Sequence, residues 1–301
     1  MLTKRILSFG STPLPDLSVH YLLVGGGGGG GNWDGGGGGA GGLLTNFGGT
    51  ALSLSTGTNY LVKVGNGGAG GQKASPVTTS EVGADTFFDD NASGFTALGG
   101  GGGGNDNGNS GGLGGGASDG GSGGGTGEGS NQQIGFGTSG QGFNGGTATS
   151  NQGGGGGGAS EAGKTASQPA NTDGQGHGGD GLANAITGTS IFYAGGGGGD
   201  FRSGGFPGGS GGGADGSGTQ ANNGTNHLGG GGGARGGSVS VTAGQGGSGV
   251  AVLRYPSAYT ITTQSSSNCS ITTTTDGNDN VSIFKYTGST TRQQGTMIIQ
   301  F

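Results

Sequence analysis

Residues 19–39, VHYLLVGGGGGGGNWDGGGGG, contain the pattern that decides the fold. The first six residues are rich in β-forming side chains and predict a strand. Seven glycines follow without interruption, and Asn32-Trp33-Asp34 separates them from five more. A flexible linker needs no ordered junction at its start. The pattern therefore predicts a strand that continues directly into an ordered glycine segment.

Glycine occupies 92 of the 301 positions in the chain, whereas proline occupies only 6. Collagen requires a strict Gly-X-Y period with much more proline, and a transmembrane helix requires about 20 consecutive apolar residues. Neither pattern occurs in the sequence. The net charge of −6 argues against a protein that binds nucleic acid, because such proteins present a basic face. Two alternatives remain, a disordered spacer and an ordered glycine architecture.

Uninterrupted glycine runs recur along the chain without a fixed period, at residues 25–31, 35–39, 99–104, 153–158, 195–199 and 229–233. An extended glycine segment can adopt the polyproline II conformation, whose N–H and C=O groups must pair with neighbouring segments when they are buried. Only glycine lets backbones approach closely on every side, so an all-glycine run should be enclosed. We expect outer segments at residues 111–120 and 208–218. We expect a structural glycine core that includes Gly27, Gly37, Gly101, Gly155, Gly197 and Gly231.

Runs of β-forming residues flank and interrupt the glycine-rich part of the chain. They lie at residues 18–24, 59–64, 249–255, 261–263, 270–275, 281–287 and 296–301, and residues 87–98 resemble a hairpin. The expected fold consists mostly of irregular and β structure. In it, a packed polyglycine bundle of polyproline II helices is flanked by short antiparallel strands. It comprises an N-terminal strand segment at 1–24, the glycine-rich bundle with β-hairpins at 25–256 and a C-terminal β unit at 257–301. The alternative is a disordered spacer between two small β units.

No motif predicts catalysis, a metal or a cofactor. Residues 158–165 match the letters of a phosphate-binding P-loop, but a glycine run rather than a strand precedes them and no helical pattern follows. Asp85, Asp89 and Asp90 cluster without the spacing of a calcium loop. The three histidines and Cys269 are too scattered for a zinc site. We therefore expect a protein that is not an enzyme.

Several aromatic residues lie in polar, glycine-rich connections rather than in strands. Exposed aromatic rings favour binding, and stacking on sugars is one use of them, so these residues are candidates for receptor binding. The alternative is that the rings cap the ends of the glycine bundle and shield its backbone groups. The candidates are Trp33, Phe136, Phe143, Phe201 and Phe206.

The junctions between strands and glycine runs resemble those of the glycine-rich domain found in many marine and cyanobacterial phage proteins. Residues 19–31 resemble the opening of that domain, the segment from residue 95 its middle junction and residues 244–256 its closing strand. Residues 282–301 are similar to the short β unit that often follows it. In architecture the chain also resembles phage fibre-tip adhesins built on a polyglycine sandwich, whose distal loops touch the host receptor.

The resemblance implies a phage virion surface protein, a tail-fibre or fibre-tip adhesin that presents loops to a host-cell glycan or receptor. Its other expected partners are virion proteins and further copies of the chain. We expect it neither to bind nucleic acid nor to insert into a membrane. Residues 1–10 lack the apolar core of a secretory signal, which fits a protein made in the host cytoplasm and displayed on the virion surface. The main alternative is a structural subunit, such as a capsid or tail decoration protein or a lattice-forming surface protein. An ice-binding protein is a minor alternative.

Overall fold

The computed structural model describes residues 17–72, 78–92, 94–105, 117–129, 133–167, 175–201, 204–220, 222–236 and 241–301. Within these ranges every regular element is a β-strand, and every pair of strands is antiparallel. No helix suited to crossing a bilayer occurs in these ranges. The expectation of a fold that combines irregular structure with antiparallel β-strands is confirmed.

Each strand stretch predicted from the sequence overlaps one or two strands of the structure. The predicted stretches do not include β2, β3 or β7 to β10, which are only two or three residues long. The strands are β1 (Ser18–Val24), β2 (Leu43–Thr45), β3 (Leu52–Ser53), β4 (Asn59–Gly65), β5 (Thr86–Phe88), β6 (Phe95–Ala97), β7 (Leu182–Asn184), β8 (Ile191–Tyr193), β9 (Asp200–Phe201), β10 (Gly204–Gly205), β11 (Val250–Pro256), β12 (Thr262–Ser267), β13 (Cys269–Asp276), β14 (Asp279–Tyr286) and β15 (Gln294–Gln300).

Two antiparallel sheets pack face to face into a sandwich. The first sheet has the order β13-β14-β11-β1-β2, with β3 also paired to β1, and the second has the order β12-β15-β4-β5-β6. The core between them contains Leu253, Tyr255 and Phe284 from the first sheet and Phe88 and Ile299 from the second. Burying one such side chain contributes about 1.5–3 kcal/mol. The sandwich therefore supplies hydrophobic stabilisation that glycine segments cannot supply.

The central strand β1 is buried on both of its faces. Leu23 faces the sandwich core, whereas Leu22 belongs to a second apolar cluster on the opposite face of the sheet. Ile186 and Tyr193, from the hairpin formed by β7 and β8, belong to this second cluster. Burial on both faces explains why the residues of β1 read as a nearly continuous apolar run rather than an alternating one.

Residues 25–31 form hydrogen bonds with six neighbouring segments. Three consecutive N–H groups donate to three different segments, and the fourth donates again to the first of these segments. The N···O distances are 2.8–2.9 Å. The carbonyl groups follow the same three-residue pattern and accept hydrogen bonds from three other segments. The acceptor segments are residues 36–42, 81–84 and 244–247, and the donor segments are residues 68–71, 100–103 and 232–235.

The glycine-rich segments run alternately away from the sandwich and back toward it. Residues 25–31 continue from β1, and residues 36–42 return beside them in the opposite direction and continue into β2. We call the far end, where residues 32–34 connect these two segments, the turn end. The end next to the strands is the sandwich end.

Every glycine of the six runs is buried, as expected for inner segments. Residues 208–218, expected on the outside, include exposed, half-buried and buried positions, and residues 111–116 lie outside the described ranges. A Cβ at any of the predicted core glycines would lie less than 3.0 Å from a backbone atom of another segment, closer than real Cβ atoms approach. These glycines are Gly27, Gly37, Gly101, Gly155, Gly197 and Gly231.

The division of the chain at residues 24 and 256 stays a prediction. Strands pair across both of these positions, because β1 pairs with β11 and β4 pairs with β15. Residues 1–16 lie outside the described ranges. The N-terminal and C-terminal strands therefore belong to the same two sheets as strands from the glycine-rich part.

Candidate functional site

Polar residues flank the glycine runs at the turn end. Three of them directly follow runs that lead away from the sandwich, and a fourth lies two positions beyond such a run. Two more directly precede runs that return to the sandwich. The directions of the runs bring all six to one end of the molecule. We call them the polar layer: Asn32, Asp34, Asn105, Gln152, Asp200 and Arg235.

The polar layer is buried, and the exposed fraction of its residues is 0–4%. The Asn32 backbone N–H donates to Asn105 Oδ1 at 2.8 Å, and Asn32 Nδ2 donates to the Val241 carbonyl at 2.6 Å. The Arg235 Nη2 donates to the Thr219 carbonyl at 3.2 Å. Buried backbone groups at the end of a segment need partners that the next glycine does not supply. The polar layer supplies part of these partners at the turn end of the glycine-rich segments.

Asp200 is the most completely buried carboxyl group of the polar layer. Its carboxyl group is buried, and within the described part of the chain neither carboxyl oxygen accepts a hydrogen bond of ordinary geometry. Burial raises the pKa of this carboxyl well above its ordinary value, and the charge of Asp34 raises it further. The Gly35 amide and the Arg235 guanidinium oppose the shift less strongly. Burial therefore stabilises the protonated form of Asp200 relative to the ionised form.

Trp33 and Phe201 are half-buried at the turn end. Trp33 has a φ of 60°, which is uncommon for a bulky residue, and its backbone N–H donates to the Arg235 carbonyl at 2.5 Å. The Phe201 ring centroid lies 5.0 Å from that of Phe206, which is only 3% exposed. Trp33 and Phe201 are thus partly exposed at this end, whereas Phe206 is buried and packs against Phe201.

Phe136 and Phe143 lie at the sandwich end. The Phe143 N–H donates at 3.0 Å to the carbonyl of Gly158, the last glycine of a run that returns to the sandwich. Both rings are exposed, by 43% for Phe136 and 47% for Phe143. A surface cavity of about 440 Å³ lies beside Phe143 and is also lined by Gln141. The five aromatic candidates therefore form two separate groups.

The described residues contain no group of three or more His, Cys, Asp and Glu residues able to hold a metal ion. Asp89 and Asp90 accept hydrogen bonds from backbone amides in their own turn. Asp85 accepts one at 2.8 Å from the first amide of a glycine run. Lys164, in the P-loop-like stretch, forms an exposed ion pair with Glu161. These residues have local partners of the kind found in turns.

Cys269 is buried, and burial raises the pKa of its thiol to about 11. Because the thiolate is the reactive form, we expect the folded protein to react with iodoacetamide about 100-fold more slowly than free cysteine near neutral pH. Mass-spectrometric alkylation time courses with and without denaturant measure this difference. Rapid alkylation of the folded chain would contradict it.

The family model described as "Glycine-rich domain" matches residues 9–256. The chain therefore belongs to the glycine-rich domain family. The match contains all six glycine runs and both central strands of the first sheet, β1 and β11, whereas β12 to β15 follow it. Comparison with curated proteins found no match.

Proposed function

We propose that the glycine-rich segments form a bundle of polyproline II helices and that this bundle is a rigid scaffold. Polyproline II has about three residues per turn and no internal hydrogen bonds, which fits the three-residue rotation of partners around residues 25–31. The burial of all six runs supports close packing. Ordering costs about 1–2 kcal/mol per residue, so an isolated glycine helix would melt. Packing against the sandwich makes the ordering cooperative.

We propose further that the chain is a phage virion surface protein, a tail-fibre or fibre-tip adhesin that binds a host-cell glycan at the turn end. One observation carries this proposal: adjacent segments turn at the end opposite the sandwich, where Trp33 and Phe201 are partly exposed. The phage origin rests on the resemblance of the junction sequences. Connections held on a rigid scaffold lose little conformational entropy when they bind a ligand.

Each half-buried ring has a defined role in the proposed site. Trp33 and Phe201 offer flat apolar faces for sugar rings. The buried polar layer holds both residues in position, because the Trp33 backbone N–H donates a hydrogen bond to the Arg235 carbonyl and Phe201 directly follows Asp200. Binding at one such site is weak, and several copies on one particle strengthen it through avidity.

Multivalent display tests the proposed function. The chain is coupled to fluorescent beads and offered to a panel of bacterial cells and surface glycans, because avidity reveals weak single-site binding. Saturable binding to one cell type, inhibited by a soluble glycan, is the expected result. Absence of binding across the panel by a folded chain would overturn the adhesin proposal.

The turn end should carry the binding, so we expect Trp33→Ala to lower bead binding by at least about tenfold, as loss of an aromatic anchor does. Phe143→Ala is the matched control, because this ring is more exposed but lies at the sandwich end. Both variants are first checked by thermal unfolding. Equal losses in the two variants, or a loss only in Phe143→Ala, would place the binding site elsewhere.

A non-enzymatic structural subunit is the second candidate function, and the exposed outer strand β13 favours it. Deleting residues 257–301 is an unsuitable test, because β14 pairs with β11 and β15 pairs with β4. The deletion would remove strands from both sheets. Electron microscopy of the whole chain is the suitable measurement, since ordered arrays without cell binding support this candidate over an adhesin.

A further inference from the structure

The sandwich has two outer strands on the same side. β13 is the outer strand of the first sheet, and β12 is the outer strand of the second. Only Asn268, with a φ of 49°, separates the two strands along the chain. All six residues of β12 and the positions from Thr272 to Thr275 in β13 are exposed. None of the described residues pairs with the outer side of β13.

The opposite side of the sandwich has protected edges. There β2, β3 and β6 are only two or three residues long, and Gln141 donates a side-chain hydrogen bond to the Thr96 carbonyl of β6 at 3.0 Å. Monomeric proteins usually protect an edge with short strands, lysine, proline or a bulge. β13 is eight residues long, pairs with β14 without a register shift, and contains no lysine, arginine or proline. It is a long edge without these protections.

The hydrogen-bond alternation identifies the backbone groups that face outward from β13. The Thr287 N–H donates to the Asn268 carbonyl at 3.0 Å, so even-numbered residues of the strand bond toward β14. The N–H and C=O groups of Ile271, Thr273 and Thr275 therefore point away from the sheet. They are ready to pair with another strand.

The charges beside this edge favour an antiparallel copy of the same strand. Lys285 lies next to one end of β13, where it pairs with Ser270, and Asp276 and Asp279 lie at the other end. Arg254 neutralises one of these two carboxylates, because it forms ion pairs with both. Antiparallel pairing of two copies brings the Lys285 end of each to the acidic end of the other. Parallel pairing would put like charges together.

We propose that two copies of this chain form a two-fold dimer by antiparallel pairing of β13 with β13, centred near Thr273. The pairing joins the two first sheets into one continuous sheet, and the neighbouring β12 strands extend the contact. An isologous interface uses the same patch on both copies, so assembly stops at two. The dimer goes beyond the proposed function and does not depend on glycan binding.

The test compares lysine substitutions on this edge with lysine substitutions elsewhere. Thr272→Lys with Thr274→Lys places like charges opposite each other in the antiparallel pairing, because the two positions face each other across the two-fold axis. Thr50→Lys with Thr56→Lys is the matched control, since both threonines are exposed in the connections around β3. Light scattering coupled to gel filtration measures the mass of each full-length variant, and thermal unfolding confirms that each one folds.

The wild type and the control variant are expected at twice the chain mass, and the edge variant at the mass of one chain. Lys285→Glu should weaken the dimer at low salt and change it little at high salt, because salt screens surface charges. Hydrogen exchange at Ile271, Thr273 and Thr275 should be slow in the dimer and fast in the edge variant. A monomeric wild type, or an edge variant that remains dimeric with these amides protected, would overturn the proposal.

Discussion

Gly101→Ala is expected to destabilise the protein by more than about 3 kcal/mol, a large part of the usual 5–15 kcal/mol stability of a folded domain. The added Cβ would lie less than 3.0 Å from the carbonyl group of Ser118 and from the Gly124 nitrogen, all of them backbone atoms. Neither can move as a flexible side chain would. The segments must separate, and that separation breaks interglycine hydrogen bonds.

The size of the effect follows from the hydrogen bonds around Gly101. Its N–H donates to the Ser122 carbonyl and its carbonyl accepts from the Gly39 N–H, both at 2.8 Å. A buried backbone group that loses its partner costs about 1–3 kcal/mol, and overpacking adds about 1–3 kcal/mol. Gly101→Val should be worse, because its side chain is larger and branched.

Gly49→Ala is the matched control for this prediction. Gly49 is exposed, and the nearest atom to an added Cβ is the Asn46 carbonyl oxygen at 3.5 Å, an ordinary contact. We expect a change within about 0.5 kcal/mol. Urea unfolding of both variants measures the difference. Equal tolerance of alanine at Gly101 and Gly49 would mean that the glycine segments are loosely packed connections.

The inner glycine segments follow from local sequence, whereas the arrangement of the strands does not. An unbroken glycine run can be enclosed on every side, so its burial is predictable from the absence of side chains alone. The pairing of β1 with β11 joins His20 to Arg254, and no local pattern indicates which distant strands meet. Pairing across such separations depends on the packing of the whole sandwich.

The candidate site is predictable only in part, for the same reason. The polar residues after the runs, such as Asn32 and Asp200, are visible in the sequence as residues that interrupt glycine. Their convergence depends on the direction of every run, which only the hydrogen bonds between segments reveal. Gln152 and Arg235 carry no motif, although each lies within two residues of a glycine run. Run boundaries are therefore the signal that could have identified them.

The second large effect concerns Asp200, whose burial should make the stability of the protein depend on pH. Its pKa is raised in the folded state, mainly by burial and then by the charge of Asp34, from an ordinary value of 3.8. Between 3.8 and the higher folded-state value, the folded protein keeps a proton that the unfolded chain has lost. The free energy of unfolding then falls as pH rises, by about 1.4 kcal/mol per pH unit for one group.

Asp200→Asn should remove this dependence and raise stability at neutral pH. The carboxamide has nearly the same shape as the protonated carboxyl and carries no charge to bury, so the contribution of Asp200 to the fall in the free energy of unfolding is absent from Asp200→Asn. Asp215→Asn is the control, because Asp215 is an exposed carboxylate that accepts the Gly208 N–H at 2.9 Å. Urea unfolding from about pH 4 upward measures all three proteins.

The slope of the free energy of unfolding against pH distinguishes the effect of burying Asp200 from the effect of the chain's overall negative charge. The wild type and Asp215→Asn should lose stability together as pH rises, and Asp200→Asn should stay level over the same interval. The general acidity behind the net charge of −6 would produce a similar slope in all three proteins, since neither variant changes the charge by more than one unit. Parallel slopes in the three proteins would therefore contradict a buried Asp200 with a raised pKa.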